Sequence, residues 1–242
     1  MERFAVASVP ERTDAFRPSR TLTPMVTASD PEYLATKRLK LGQARLSGAA
    51  AELADWVATT YGVTVLNVVC DPRNAIHGPR LQIIVEHRAE AEKFHAGVNF
   101  DPLKQRAIRD RYLEILRRDS GSMPDVDGMF VVFSAFAPIA REEAHSRVTD
   151  AEIAGLQARI ADPTLWKISR CFSRVTFFFY NQEQLRRAEE AGRRGEYART
   201  YFELLVGRDE FGYLDKESFQ VDFDTKENFD TNFQGSWFNY YR

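Results

Sequence analysis

Tyr112-Leu113-Glu114-Ile115-Leu116 and Tyr201-Phe202-Glu203-Leu204-Leu205 are the two stretches on which the reading of this chain turns. Each sets an aromatic ring and aliphatic side chains around one acid at spacings that put the apolar groups on a single helical face. The interval between Tyr112 and Tyr201 also separates Phe130-Val131-Val132 from Phe219-Gln220-Val221, and a slightly longer one separates LQIIVEH (81–87) from VTFFFYN (175–181). Three matches in one order at nearly one interval favour a duplicated unit over the ordinary recurrence of apolar residues in an amphipathic chain.

Outward from the first stretch, residues 45–61 carry Leu46, Ala49, Ala50, Leu53, Trp56 and Val57 at helical spacing, and Gly62 is placed to end the helix. VTVLNVVC (63–70) and LQIIVEH read as an antiparallel pair of strands, because β-branched residues dominate them and turn residues lie between. Pro102 opens a charged helix whose buried stripe is Ile108, Tyr112, Ile115 and Leu116. The turn-rich DSGSMPDVDG (119–128) ends it, and MFVVFSAF (129–136) follows as an apolar strand.

Around the second stretch the order repeats. Thr149, with Glu152 three residues on, predicts the capped start of a helix that stops before Pro163. Strands are expected over 168–172, 174–180 and 218–223, with a helix over 196–206 between the last two. The expected fold is therefore α+β: a tandem pseudo-repeat of a helix-strand-strand-helix-strand unit, its sheet mainly antiparallel and its helices packed on one face. Residues 1–32, with four prolines and no sustained period, read as an extended or flexible arm. Residues 33–140 and 141–242 are the two halves, as separate domains or one fused domain.

Composition narrows the function classes. The chain has 242 residues, 44% of them hydrophobic, enough for a core without disulfide or metal. With 33 basic against 35 acidic residues, no global field draws it to nucleic acid or anionic lipid. The first residues hold no apolar run of signal-peptide length, and no stretch matches a membrane span, so the expected location is cytoplasmic and no membrane partner is expected. Cys70 and Cys171 sit in apolar strands and read as reduced, buried thiols.

No phosphate-binding glycine loop, dinucleotide fingerprint, zinc-protease helix or paired Cys-x-x-Cys occurs, so neither cofactor nor metal is expected. His77, His87, His95 and His145 are not spaced as ligands from one element. The acidic run 222–230 lacks the glycine of a calcium loop, and the alternation of Val221 and Phe223 with Asp222 and Asp224 reads as a half-buried strand with one wet face. Glu86 and His87 end one strand, and Tyr180 and Asn181 end its counterpart. If the halves enclose a cleft, these four are its candidate ligand-binding residues, although a strand-end side chain bonding to backbone explains them more simply.

Two further features carry functional readings. Arg106, Arg109, Arg111, Arg117 and Arg118, with Arg186, Arg187, Arg193, Arg194 and Arg199, make the matched helices basic and raise phosphate or nucleic-acid binding. The interleaved acids favour ordinary ion-paired helices. The C-terminal FQGSWFNYYR (233–242) holds Trp237, Phe238 and Tyr240, which either dock on the chain's own core or meet a partner. The leading expectation is a non-enzymatic binding or protein-interaction protein, its partner another protein or a second copy. A small-molecule binder or hydrolase-type enzyme using the cleft comes second, and phosphate or nucleic-acid binding third.

Overall fold

The structure is a computed structural model that describes residues 27–71, 79–120 and 128–242. Most of the N-terminal arm, the loop with Asn74 and His77, and most of the turn-rich segment at 119–128 therefore lie outside the described residues. In chain order the elements are α1 (Pro31–Lys40), α2 (Gly48–Tyr61), β1 (Val65–Asp71), β2 (Arg80–Val85), α3 (Arg88–Glu92), β3 (His95–Ala96), β4 (Asn99–Phe100), α4 (Pro102–Ser120), β5 (Phe130–Ala135), α5 (Phe136–Ser146) and α6 (Asp150–Ile160). They continue as β6 (Leu165–Cys171), β7 (Arg174–Phe179), α7 (Gln182–Glu190), α8 (Arg193–Val206), β8 (Asp222–Thr225), α9 (Lys226–Phe233) and α10 (Trp237–Tyr240). The protein is α+β, and among the described residues no helix is long and apolar enough to cross a membrane.

The strands form two three-stranded sheets, ordered β1-β2-β5 and β6-β7-β8, beside the small β3-β4 pair. In each larger sheet the first two strands are antiparallel and the third joins parallel. A parallel neighbour needs a long crossover, which α4 and α8 provide. The bulges also correspond: the register slips between Val65 and Asn67 in β1, and between Leu165 and Lys167 in β6. At the strand ends, Glu86 N donates to the Thr64 carbonyl at 3.0 Å and Tyr180 N to that of Thr164 at 3.2 Å. Ala137 N and Glu227 N then donate to the carbonyls of Glu86 and Tyr180.

Strand periodicity sorts side chains onto two faces. Leu81, Ile83 and Val85 pack with Val131 and Phe133 beneath α2 and α4, where Leu53, Val57, Ile108 and Tyr112 complete the core. Val175, Phe177 and Phe179 pack in the same way against Leu156 of α6 and Tyr197, Tyr201 and Leu205 of α8. The two tyrosine-bearing helices thus each bury their tyrosine in the core of their own sheet. Helices cover the expected face, and others cover the opposite face as well. Ile84 meets Tyr33 of α1 and Phe136 and Ala140 of α5, while Phe178 meets Phe229 of α9 and Trp237 and Tyr240 of α10.

Helix ends follow the sequence closely. Gly62 ends α2 at φ 62, the left-handed conformation that glycine adopts without a Cβ penalty. Thr149 caps α6, with Glu152 accepting from the Thr149 amide at 2.8 Å. The last strand differs from expectation. The Asp215 carboxylate accepts from the amides of Glu217 and Ser218 and holds that segment in a turn. Phe219 leaves the backbone line to stack on Tyr201, and pairing with β7 begins only at Asp222. Asp222, Phe223 and Asp224 do lie in strand, which runs to Thr225; Thr225 then caps α9 by accepting from Asn228 N at 2.9 Å, so most of the remaining acidic run is helix.

The loop between α8 and β8 crosses to the first sheet. The Asp209 carboxylate accepts from the amides of Tyr213 and Leu214, and this sets Phe211 and Tyr213 against Phe136. Lys37 of α1 bridges Glu143 of α5 at 2.9 Å and Glu210 of the loop at 2.6 Å. The second half of the chain therefore helps to close the far face of the first sheet.

Candidate cleft beside the edge strand β6

A cleft of ≈ 590 Å³ lies where the end of α5, the start of α6, the edge strand β6 and the C-terminal segment meet. Its polar lining includes Glu142, His145, Lys167 and Ser169, and its apolar walls include Ile153, Phe172 and Trp237. Each group is placed by a local cause. The buried stripe of α5 runs through Phe136, Ala137, Ala140 and Ala144 to His145, so the helix delivers its last turn to the second half of the molecule. Trp237 comes from α10, whose N-cap Ser236 holds the turn by accepting from Asn239 N at 3.4 Å.

His145 is 2% exposed, its ring stacked near Tyr201 at 6.0 Å and Phe219 at 6.1 Å. Burial, with the neighbouring Arg170 guanidinium, holds it down to about 4, so it is a neutral imidazole at neutral pH. Its Nδ1 has no hydrogen-bond partner among the described residues. Arg170 is fully committed: it donates to the carbonyls of Val148 and His145 at the end of α5 and pairs with Asp150 at 2.7 Å. Cations at that end complement the unsatisfied helix carbonyls.

Glu142 is a half-buried carboxylate that burial pushes above its usual range. Among the described residues no cation pairs with it. Lys167 has its ammonium 4.9 Å from the centre of the Trp237 ring and also lacks an acidic partner among the described residues. Ser169 Oγ accepts from the Tyr241 hydroxyl at 2.8 Å, which pins the end of the chain to β6. Phe172, in the two-residue connection between β6 and β7, is 64% exposed and held at φ 53. Left-handed backbone is costly for a bulky side chain, and a solvent-facing phenyl ring offsets little of that cost through packing.

The four strand-end residues singled out in the sequence lie elsewhere. Glu86 accepts from Tyr213 Oη at 2.8 Å and pairs with Lys40 at 2.7 Å, tying the crossing loop and α1 to β2. His87 is the N-cap of α3, its amide donating to Glu90 at 2.8 Å, and its ring meets Tyr213 edge-on. Asn181 caps α7 by accepting from Gln184 N at 3.0 Å, and Tyr180 beside it is 46% exposed. These residues divide between the ends of two separate sheets, and none lines the cleft. Of the C-terminal aromatics, Trp237 and Tyr240 pack on Phe178, Trp237 also walls the cleft, and Phe238 is 74% exposed.

The arginines singled out in the sequence lie on α4, α7 and α8 and are mostly ion-paired: Arg111 and Arg118 with Glu52, Arg186 and Arg187 with Glu183, and Arg193 with Asp162. Sequence reasoning missed the cleft because its groups come from four separated segments. The one signal available was Phe172, an aromatic in a two-residue connection between strands where Asn or Gly is usual. Comparison of the chain with protein-family models, with curated proteins and with solved structures gives no match.

Proposed function

We propose that this protein is a binding protein that holds a small molecule in the cleft beside β6. The carrying observation is that one ≈ 590 Å³ cleft gathers polar groups left without protein partners and an exposed phenyl at a strained backbone position. That volume is typical of small-molecule sites, and strain that packing does not offset is a recurring mark of function. A protein partner remains the second reading, and it has less to use: most of the aromatic terminus is spent on the chain's own sheet, with Phe238 alone pointing away. Screening a fragment library by NMR tests the proposal. Shifts confined to residues around Lys167, Phe172 and Trp237 are expected, and their absence, or shifts only at Phe238, would reject it.

We also infer that the two sheets descend from one duplicated unit, α2–α5 matching α6–α9. Equal strand order, equal pairing sense, matching bulges and paired strand-end hydrogen bonds support this reading. The matched Tyr112 and Tyr201 sit in the two equivalent cores. On this reading Ala135 and Thr225 are equivalent N-caps, and Phe133 and Phe223 hold the same register position beside Ile83 and Phe177, so the strand match shifts by one residue and Val131 answers to Val221.

A further inference from the structure

The charges around the cleft separate into two groups. Arg170 and Asp150 neutralise each other, and Arg170 also satisfies the carbonyls of His145 and Val148. His145 is neutral. What remains is one acid and one base: Glu142 on α5 and Lys167 on β6. They line the same cleft from different elements and neither finds an ionic partner among the described residues. Nor do they pair with each other. A half-buried carboxylate without a cation is costly, because burial removes hydration that no protein group replaces. The ammonium of Lys167 rests on the Trp237 ring face, a weaker interaction that an anion can outcompete.

The same cleft is also lined by apolar and aromatic side chains: Ile153 on α6, Phe172 at the hairpin and Trp237 on α10. A cation alone would satisfy Glu142 and be repelled by Lys167, and an anion alone would meet the reverse. A molecule carrying both charges with an apolar body answers all three features. We propose that the cleft binds a zwitterionic amino acid with an apolar or aromatic side chain, its ammonium at Glu142, its carboxylate at Lys167 and its side chain between Phe172 and Trp237. This rests on the cleft being the binding site and adds the chemical class of its ligand.

The test uses three probes of one shape and different charge: L-phenylalanine, L-phenylalaninamide, which keeps only the ammonium, and N-acetyl-L-phenylalanine, which keeps only the carboxylate. Titrated calorimetrically against the full chain, the zwitterion is expected to bind at least about tenfold tighter than either analogue, the scale of one charge-assisted contact. Glu142→Gln should bring L-phenylalanine down to the level of the N-acetyl compound, and Lys167→Met down to that of the amide. Circular dichroism melts establish that both variants are folded. An analogue that binds as tightly as the zwitterion, or a preference unchanged in both variants, overturns the charge assignment and leaves the cleft as the site. Binding of none of the three overturns the amino-acid assignment, while the cleft reading itself stands or falls with the fragment screen.

Discussion

The far faces of the two sheets are closed in different ways. Over the first sheet, the ten-residue α1 lies along β1 while Phe211 and Tyr213 arrive from the crossing loop. Polar residues on that face find partners: Asn67 donates to Thr36 at 3.0 Å, and Gln82 to Ser134 at 2.9 Å. Over the second sheet the cover is α9 and the four-residue α10, and the space beside β6 stays open. There the cover over Ser169, which pairs with Thr176 across the sheet, is the Tyr241 hydroxyl of the chain terminus. The contrast teaches that sheets of the same strand order need not carry the same sites, since what lies across the edge strand decides whether a groove survives.

The largest effect expected from this comparison is at the sealed face. Phe136 is 1% exposed and stacked 5.0 Å from Tyr33, so Phe136→Ala should cost about 3–5 kcal/mol in urea unfolding. A loss below about 1 kcal/mol would mean that α1 and the crossing loop do not close that face. Next in size is the pH response of the cleft floor. With His145 held down to about 4, protonation favours the unfolded chain, where imidazole titrates normally. The stability this group contributes is full above pH ~6.5 and is lost as pH falls towards 4, to a limit on the order of 3 kcal/mol. Denaturant unfolding at pH 7, 5.5 and 4.5 should show a shallower decline in His145→Gln than in the parent. Parallel curves would contradict a neutral, buried His145.

A smaller effect, of opposite sign, is expected at the rim. Phe172→Asn should stabilise the protein by about 0.5–1 kcal/mol, because asparagine tolerates φ 53 better than phenylalanine. The same change should weaken any probe that NMR places at the cleft. Stabilisation with unchanged binding would remove Phe172 from the site. Glu142→Gln should likewise raise the melting temperature at neutral pH, since it relieves a carboxylate disfavoured by burial. The smallest effect is expected at Phe238, 74% exposed, where alanine should change stability by less than about 0.5 kcal/mol. A larger loss there would revive the terminus as an interface.

Much of this architecture could be read in advance. The helices around Leu53, Tyr112, Ile153 and Tyr201 and the paired strands before and after them follow from periodicity, caps and β-branched runs, all of which act within a few residues. The short helices after β2 and β7 and the long one after β5 were missed. His87 and Asn181 are caps whose role depends on a chain that turns at once into helix, and α5 begins directly at the end of an apolar strand with no punctuating residue. The four strand-end residues were natural guesses for a site. Two of them cap helices, Glu86 ties α1 and the crossing loop to β2, and Tyr180 stands exposed at its strand end.

Local chemistry, written residue by residue, was thus enough to determine the α+β class, the two matched helices and the strands that face them. Tertiary structure alone decided that β5 and β8 join parallel, that residues 211–213 cross to the other sheet, and that Glu142, Lys167 and Trp237 share one cleft. The reason is range. Helical and strand periods are set by neighbours three or four positions away, whereas a cleft made by α5, β6 and the chain terminus depends on how whole elements pack, and no single segment encodes that.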